Sequence, residues 1–98
     1  MSDLLPIVEI LRDAETDRER AAWLETVPDG VIQRDLSAID GVLRDTGFTP
    51  GRSYLATLFA KNNARRLAGG KYPWTVLTAV EHARLLMWEA VRQGELRS

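Results

Sequence analysis

At 98 residues, 45% hydrophobic and 28% charged, the chain has enough apolar material for one domain with its own core, which excludes intrinsic disorder. It contains no cysteine, which excludes disulfides, thiolate metal sites and thiol nucleophiles together. The net charge of −1 conceals a bipolar distribution: residues 1 to 45 hold eleven acids against five arginines, residues 46 to 80 hold five basic side chains and no acid, and residues 81 to 98 balance three against three. Segregation of this kind reports on partners more than on fold.

Apolar residues recur at helical spacing along the whole chain, and alternating strand patterns are lacking. The expected fold is an all-α bundle of five helices in a single domain over residues 1–98, with a long C-terminal helix as its central element. The first helix, residues 4 to 13, places Leu4, Ile7, Val8 and Leu11 on one face, with Pro6 in the first turn where a missing N–H is harmless. Thr16-Asp17-Arg18-Glu19 matches a capping box that opens the second helix, whose apolar side is Trp23, Leu24 and Val27 and whose stop is Pro28. Asp13, Glu15 and Asp17 alternate like the start of a calcium loop. Arg18 stands where that loop needs glycine, however, and Leu24 where it needs glutamate, so capping is the preferred role and no metal is expected.

The third helix, residues 30 to 46, carries Val31, Ile32, Leu36, Ile39, Val42 and Leu43 on one arc, and Gly47 follows as a left-handed C-cap. Its interior Gly41 costs about 1 kcal/mol against alanine and marks either a close helix crossing or a local weakness. Thr49-Pro50 is a cap followed by proline at the first helical position, opening a fourth helix that directs Tyr54, Leu55, Leu58 and Phe59 to the core. Continued unbroken, that helix puts Asn62, Arg65 and Arg66 on its apolar face. A break at Lys61-Asn62-Asn63, followed by a short basic helix from Ala64, removes the conflict; the alternative is a helix whose second half emerges into solvent. Gly69-Gly70 is a breaker. Pro73 then starts the last helix, residues 73 to 93, ended by Gly94. Its apolar arc spans roughly 200°, wider than the stripe of a surface helix, so packing on more than one side or against a second subunit is expected.

Two charges fall inside apolar arcs, Asp35 in the third helix and Arg84 in the last. An isolated charge there is expensive, so the two either meet as an ion pair bridging their helices or hold their heads in water. Catalytic signals are lacking. The single histidine, His82, lies on the polar side of the last helix, and neither a nucleophile elbow, a zinc-protease motif nor a phosphate loop of the Walker type occurs. The chain is therefore expected to be non-enzymatic, without cofactor or small-molecule substrate. No apolar run approaches the roughly 18 residues that span a bilayer, and Met1-Ser2-Asp3 lacks the basic start of a secretory signal, so a cytoplasmic location without a membrane partner is expected.

The basic stretch has three readings: two kinds of partner, or an internal balance in which the acidic first half of the chain screens the basic second half. In the first, the chain is an adaptor or regulatory protein that associates with a protein, or with itself as a homodimer. Trp74, Leu77 and Trp88 anchor that interface, and segment 52–71 faces an anionic surface. In the alternative, Arg52, Lys61, Asn62, Asn63, Arg65, Arg66 and Lys71 contact the phosphates of a nucleic acid. Gly70-Lys71-Tyr72-Pro73 followed by Leu77 and Val80 resembles, over a short stretch, the end of the helix-turn-helix of phage-repressor-type regulators. It departs from that pattern at Ala60 to Asn63, where the family has a glycine-containing turn. The resemblance implies DNA binding by a helix beginning near Ala64.

Overall fold

A computed structural model describes residues 6–97. These form five α-helices and one 3₁₀ turn with no strand: α1 (Pro6–Asp13), α2 (Asp17–Thr26), α3 (Asp29–Asp45), α4 (Thr49–Asn62), the turn Ala68–Gly70, and α5 (Trp74–Arg97). The all-α bundle with a long C-terminal helix is the expected class. Leu4 lies outside the described residues.

Local signals explain most boundaries. Thr16 caps α2 by accepting the Glu19 N–H on its hydroxyl at 3.1 Å, while the Glu19 carboxylate accepts from the Glu15 N–H at 3.0 Å. The box thus closes one residue further back than Thr16. At the end of α3, Gly47 takes the left-handed conformation (φ 75°), the Phe48 N–H reaches Leu43 O at 2.9 Å and the Gly47 N–H reaches Arg44 O at 3.1 Å. This is a Schellman ending, and it delivers Phe48 into the core at 2% exposure. Thr49 is not the cap of α4; it stands inside the first turn after Phe48. α5 passes through Gly94 to Arg97, and Arg18 holds the Glu95 carboxylate through two bonds of 2.7 Å in the last turn.

α4 lies between α3 and α5 and also touches α2, whereas α1, among the described residues, packs on α2 and α3. The core along these seams holds Val8, Leu11, Leu24, Ile32, Ile39, Leu43, Phe48, Leu55 and Met87, each at most 2% exposed. A leucine of this kind contributes about 1.5–3 kcal/mol by leaving water. The Cα envelope measures 45 × 37 × 17 Å, so the bundle is a slab too thin to surround any helix. α5 buries only Ala83, Met87 and Val91, leaving Leu77, Leu85 and Leu86 exposed although it packs on both α2 and α4.

The proposed pairing of Asp35 with Arg84 does not form. α4 separates α3 from α5, so the two charges have no shared seam. Arg84 instead binds Glu81 and Glu25, the latter at 3.2 Å. Asp35 sits at a kink in α3 and takes its neighbour Arg34 at 3.2 Å. Glu25 also accepts the Trp88 indole N–H at 2.8 Å, and the Arg18 guanidinium lies 5.6 Å from the Trp88 ring centre. α2 is therefore tied to α5 by a polar strap over the apolar seam.

Gly41 is not a crossing point, since a Cβ there meets nothing closer than the flexible end of Arg44 at 3.9 Å. The close approach is at Gly51, where a Cβ would stand 2.4 Å from Phe48 Cδ2 and 3.2 Å from Leu24 Cδ1. Gly51→Ala should therefore destabilise the fold by about 1–3 kcal/mol. Gly41→Ala should stabilise it by about 0.5–1 kcal/mol. Denaturant titration checks both, and equal effects would contradict this seating of Phe48.

Hydrogen bonds from Arg84 and Arg18 hold the Glu81 and Glu95 carboxyls below the ordinary value of 4.5. Folding thus lowers both pKa values, and the unfolded chain takes up protons first. Their stabilisation is complete above the ordinary value and is lost as pH falls through the lower folded values. Melting temperature followed from about pH 7 to about pH 3 should drop in that window, and less so in the Arg18→Ala, Arg84→Ala double variant.

Candidate anion-binding site

The break foreseen at Lys61-Asn62-Asn63 is where α4 ends. Asn63 is the C-cap, and its side-chain amide donates to Phe59 O at 2.8 Å. The same amide pairs with that of Gln33 through contacts of 3.2 and 3.4 Å, fastening the end of α4 to α3. Asn63 is thereby committed to the fold. The Asn62 Nδ2 atom is buried, with no partner among the described residues, so its amide nitrogen is withheld from the surface on which the arginines stand.

No helix follows from Ala64. Residues 64–67 are irregular, and the chain then folds back on itself: the Leu67 N–H donates to Lys71 O at 2.7 Å and the Gly70 N–H to Leu67 O at 3.0 Å. Gly69 (φ 83°) and Gly70 (φ 78°) are both left-handed, a path closed to most side chains and incompatible with a continuing right-handed helix. The helix-turn-helix resemblance therefore stops short of its recognition element. What stands between α4 and α5 is a basic loop.

The five cations of the basic stretch separate into two kinds. Arg52 is held by Asp40 through Nε and Nη2 at 2.9 and 3.1 Å, a forked pair that keeps the Asp40 carboxyl below its usual range. It belongs to the α3–α4 seam, which corrects its assignment to the anion set. Lys61, Arg65, Arg66 and Lys71 form no ion pair with any carboxylate among the described residues.

Tyr72, which entered the sequence reading only as part of the Gly70-Lys71-Tyr72-Pro73 motif and not as a site residue, organises part of this group. The Arg66 guanidinium lies 4.5 Å from the ring centre and its Nη2 donates to the Tyr72 hydroxyl at 2.7 Å, while the Lys61 ammonium lies 5.4 Å from the same ring. The ring attracts both cations through its π face without neutralising either. The available signal was one aromatic residue inside a basic loop, next to a proline.

Exposed apolar side chains occur in the same stretch of chain and in the first turn of α5. Trp74 is 74% exposed at the first turn of α5, with Leu67 at 57% and Leu77 at 46%. Trp88 does not join them. It packs against the core and spends its N–H on Glu25, so the expected interface trio is reduced to Trp74 and Leu77. His82 is exposed, and no cluster of three or more His, Asp or Glu residues able to hold a metal is found among the described residues. Among them, too, no helix is long and apolar enough to cross a membrane.

Comparison with family models, with curated proteins and with solved structures finds no match to this chain.

Tyr72→Ala should cost no more than about 1 kcal/mol, because the contacts it removes are at the surface. It should nevertheless increase the motion of the Arg66 side chain, read from the NMR relaxation of its Nε–H. An unchanged Arg66 in that variant would show that the ring does not position it.

Proposed function

We propose that this chain is a non-enzymatic adaptor or regulatory protein of the cytoplasm that binds an acidic protein surface through the loop joining α4 to α5. The supporting observation is that Lys61, Arg65, Arg66 and Lys71 form no ion pair among the described residues, in a stretch that also exposes Leu67 and leads into the exposed Trp74 and Leu77 of α5. Clustered cations attract an acidic surface from a distance and raise the rate of encounter. Tryptophan and arginine are also the side chains that most often dominate interface energetics, because each combines large contact area with directed polar groups. The leucines favour a protein partner, since phosphates offer nothing apolar for them to cover.

Nucleic acid is the second reading, favoured by the exposed Trp74 indole, a platform on which a base can stack beside cations that contact phosphates. Contact would come from the loop, as no helix stands at residues 64–67.

Binding to a synthetic peptide of glutamates and leucines, compared with a single-stranded oligonucleotide, separates the two. For the protein reading, Trp74→Ala and the Arg65→Ala, Arg66→Ala pair should each weaken peptide binding by about tenfold or more. Arg52→Ala should leave that affinity unchanged while lowering the melting temperature. For the nucleic-acid reading, log affinity against log salt should fall with a slope of about −3 to −4, set by four phosphate contacts. Peptide binding that is insensitive to both loop variants would reject the first reading, and salt-insensitive oligonucleotide binding the second.

A further inference from the structure

The chain has two tyrosines, and the fold treats them in opposite ways. Tyr54 lies inside α4 at 5% exposure. Tyr72 is half-buried in the irregular segment before α5, between an extended Lys71 (φ −84°, ψ 145°) and Pro73. A modifying enzyme reaches a side chain on such a segment directly, whereas a buried residue of a helix is reached only after that helix opens.

The Tyr72 hydroxyl also stands among charges of one sign. It accepts from Arg66 Nη2 at 2.7 Å, the Arg66 guanidinium lies 4.5 Å from the ring centre, and the Lys61 ammonium lies 5.4 Å from it. Neither cation forms an ion pair with a carboxylate among the described residues. A neutral phenol uses little of what two cations can give, because a hydrogen bond to an ionised oxygen is roughly twice as strong as one to a neutral oxygen.

We propose that Tyr72 is a phosphorylation site, and that Arg66 and Lys61 hold the phosphate once it is attached. In the transfer, carried out by a tyrosine kinase, the Tyr72 hydroxyl oxygen bonds to the γ-phosphorus of a nucleoside triphosphate. The bond from that phosphorus to the β–γ bridging oxygen breaks, the phenolic proton passes to a base of the kinase, and nucleoside diphosphate leaves. The added phosphorus is then bonded to the oxygen that Arg66 already touches, so the phosphate oxygens fall within reach of the guanidinium without a change of backbone. Lys61 reaches the same group on its flexible stem. A phosphate carrying about −1.5 to −2 at pH 7 engages these two cations and leaves Arg65 and Lys71 for a partner. Phosphorylation therefore weakens the loop toward an acidic surface. That consequence rests on the function proposed above, while the site itself does not.

The full chain, incubated with a broad-specificity tyrosine kinase domain and magnesium ATP, should gain one phosphate. Fragmentation mass spectrometry should place it at Tyr72, with Tyr54 unlabelled and the Tyr72→Phe variant taking up none. A chain not labelled at Tyr72, or labelled at Tyr54 in its place, overturns the proposal. In the labelled chain, phosphorus NMR against pH should give a midpoint below the value of about 6 for free phosphotyrosine, since adjacent cations favour the dianion. The Lys61→Ala, Arg66→Ala double variant should return it to that value. A midpoint equal to that of free phosphotyrosine shows a phosphate that nothing holds and overturns the proposal as well. Affinity for the peptide of glutamates and leucines should fall by about tenfold or more on phosphorylation, and an unchanged affinity overturns the switch. If the unmodified chain does not bind that peptide, the function proposed above fails, and the labelling and the midpoint decide the site on their own.

Discussion

The seat of α4 is the constraint from which the rest of the molecule follows. A left-handed Gly47 ends α3 and turns Phe48 into the core, and Phe48 lies against Gly51 in a space that admits no Cβ. That contact fixes where α4 begins and brings it between α3 and α5. Once there, α4 keeps Asp35 and Arg84 apart, gives Arg52 to Asp40, and borders with α5 a groove lined by Ser53, Thr57, Ala79 and His82. Its far end, fastened by Asn63 to Gln33, is where the basic loop begins.

Charge is distributed in two different ways over this frame. Along the seams, three arginines find a carboxylate from another element: Arg18 with Glu95, Arg84 with Glu25, and Arg52 with Asp40. These exposed or half-exposed pairs add little stability individually, but they orient neighbouring helices. In the loop, the cations lie against Tyr72 or extend into water, where an aromatic ring holds them without cancelling their charge. Basic side chains from a single stretch of sequence therefore serve two purposes, and the difference is whether an acidic helix lies alongside.

The helices were legible because their signals are local. Period-3.6 apolar faces, the Thr16 cap, the glycine after α3 and the asparagines at the end of α4 each act within a few residues, and each stands where the sequence places it. What depends on tertiary placement was not legible. Asp35 and Arg84 looked complementary because both interrupt apolar arcs, yet only the packing order of helices decides whether they meet. Gly41 and Gly51 look alike in sequence, and only the position of Phe48 distinguishes them. The supposed helix after Ala64 yielded to Gly69 and Gly70, whose left-handed turns close the loop before a helical turn can propagate. In the candidate site, Lys61, Arg65, Arg66 and Lys71 were readable from the missing acids. Arg52, Asn63 and Trp88 were not separable from them, because their partners lie on α2 and α3, and Asn62 was not, because only packing shows that its amide nitrogen is buried.

Chemical-shift mapping of the labelled chain during titration with an acidic peptide tests the central claim most directly, because it reports every side chain at once. The account predicts movement at the Arg65 and Arg66 Nε–H groups, at Lys71 and at the Trp74 indole, with Arg52, Arg84 and the Trp88 indole unmoved and the response fading as salt rises. Shifts centred on the Arg52–Asp40 or Arg84–Glu25 pairs, or a loop that does not respond at low salt, would contradict it.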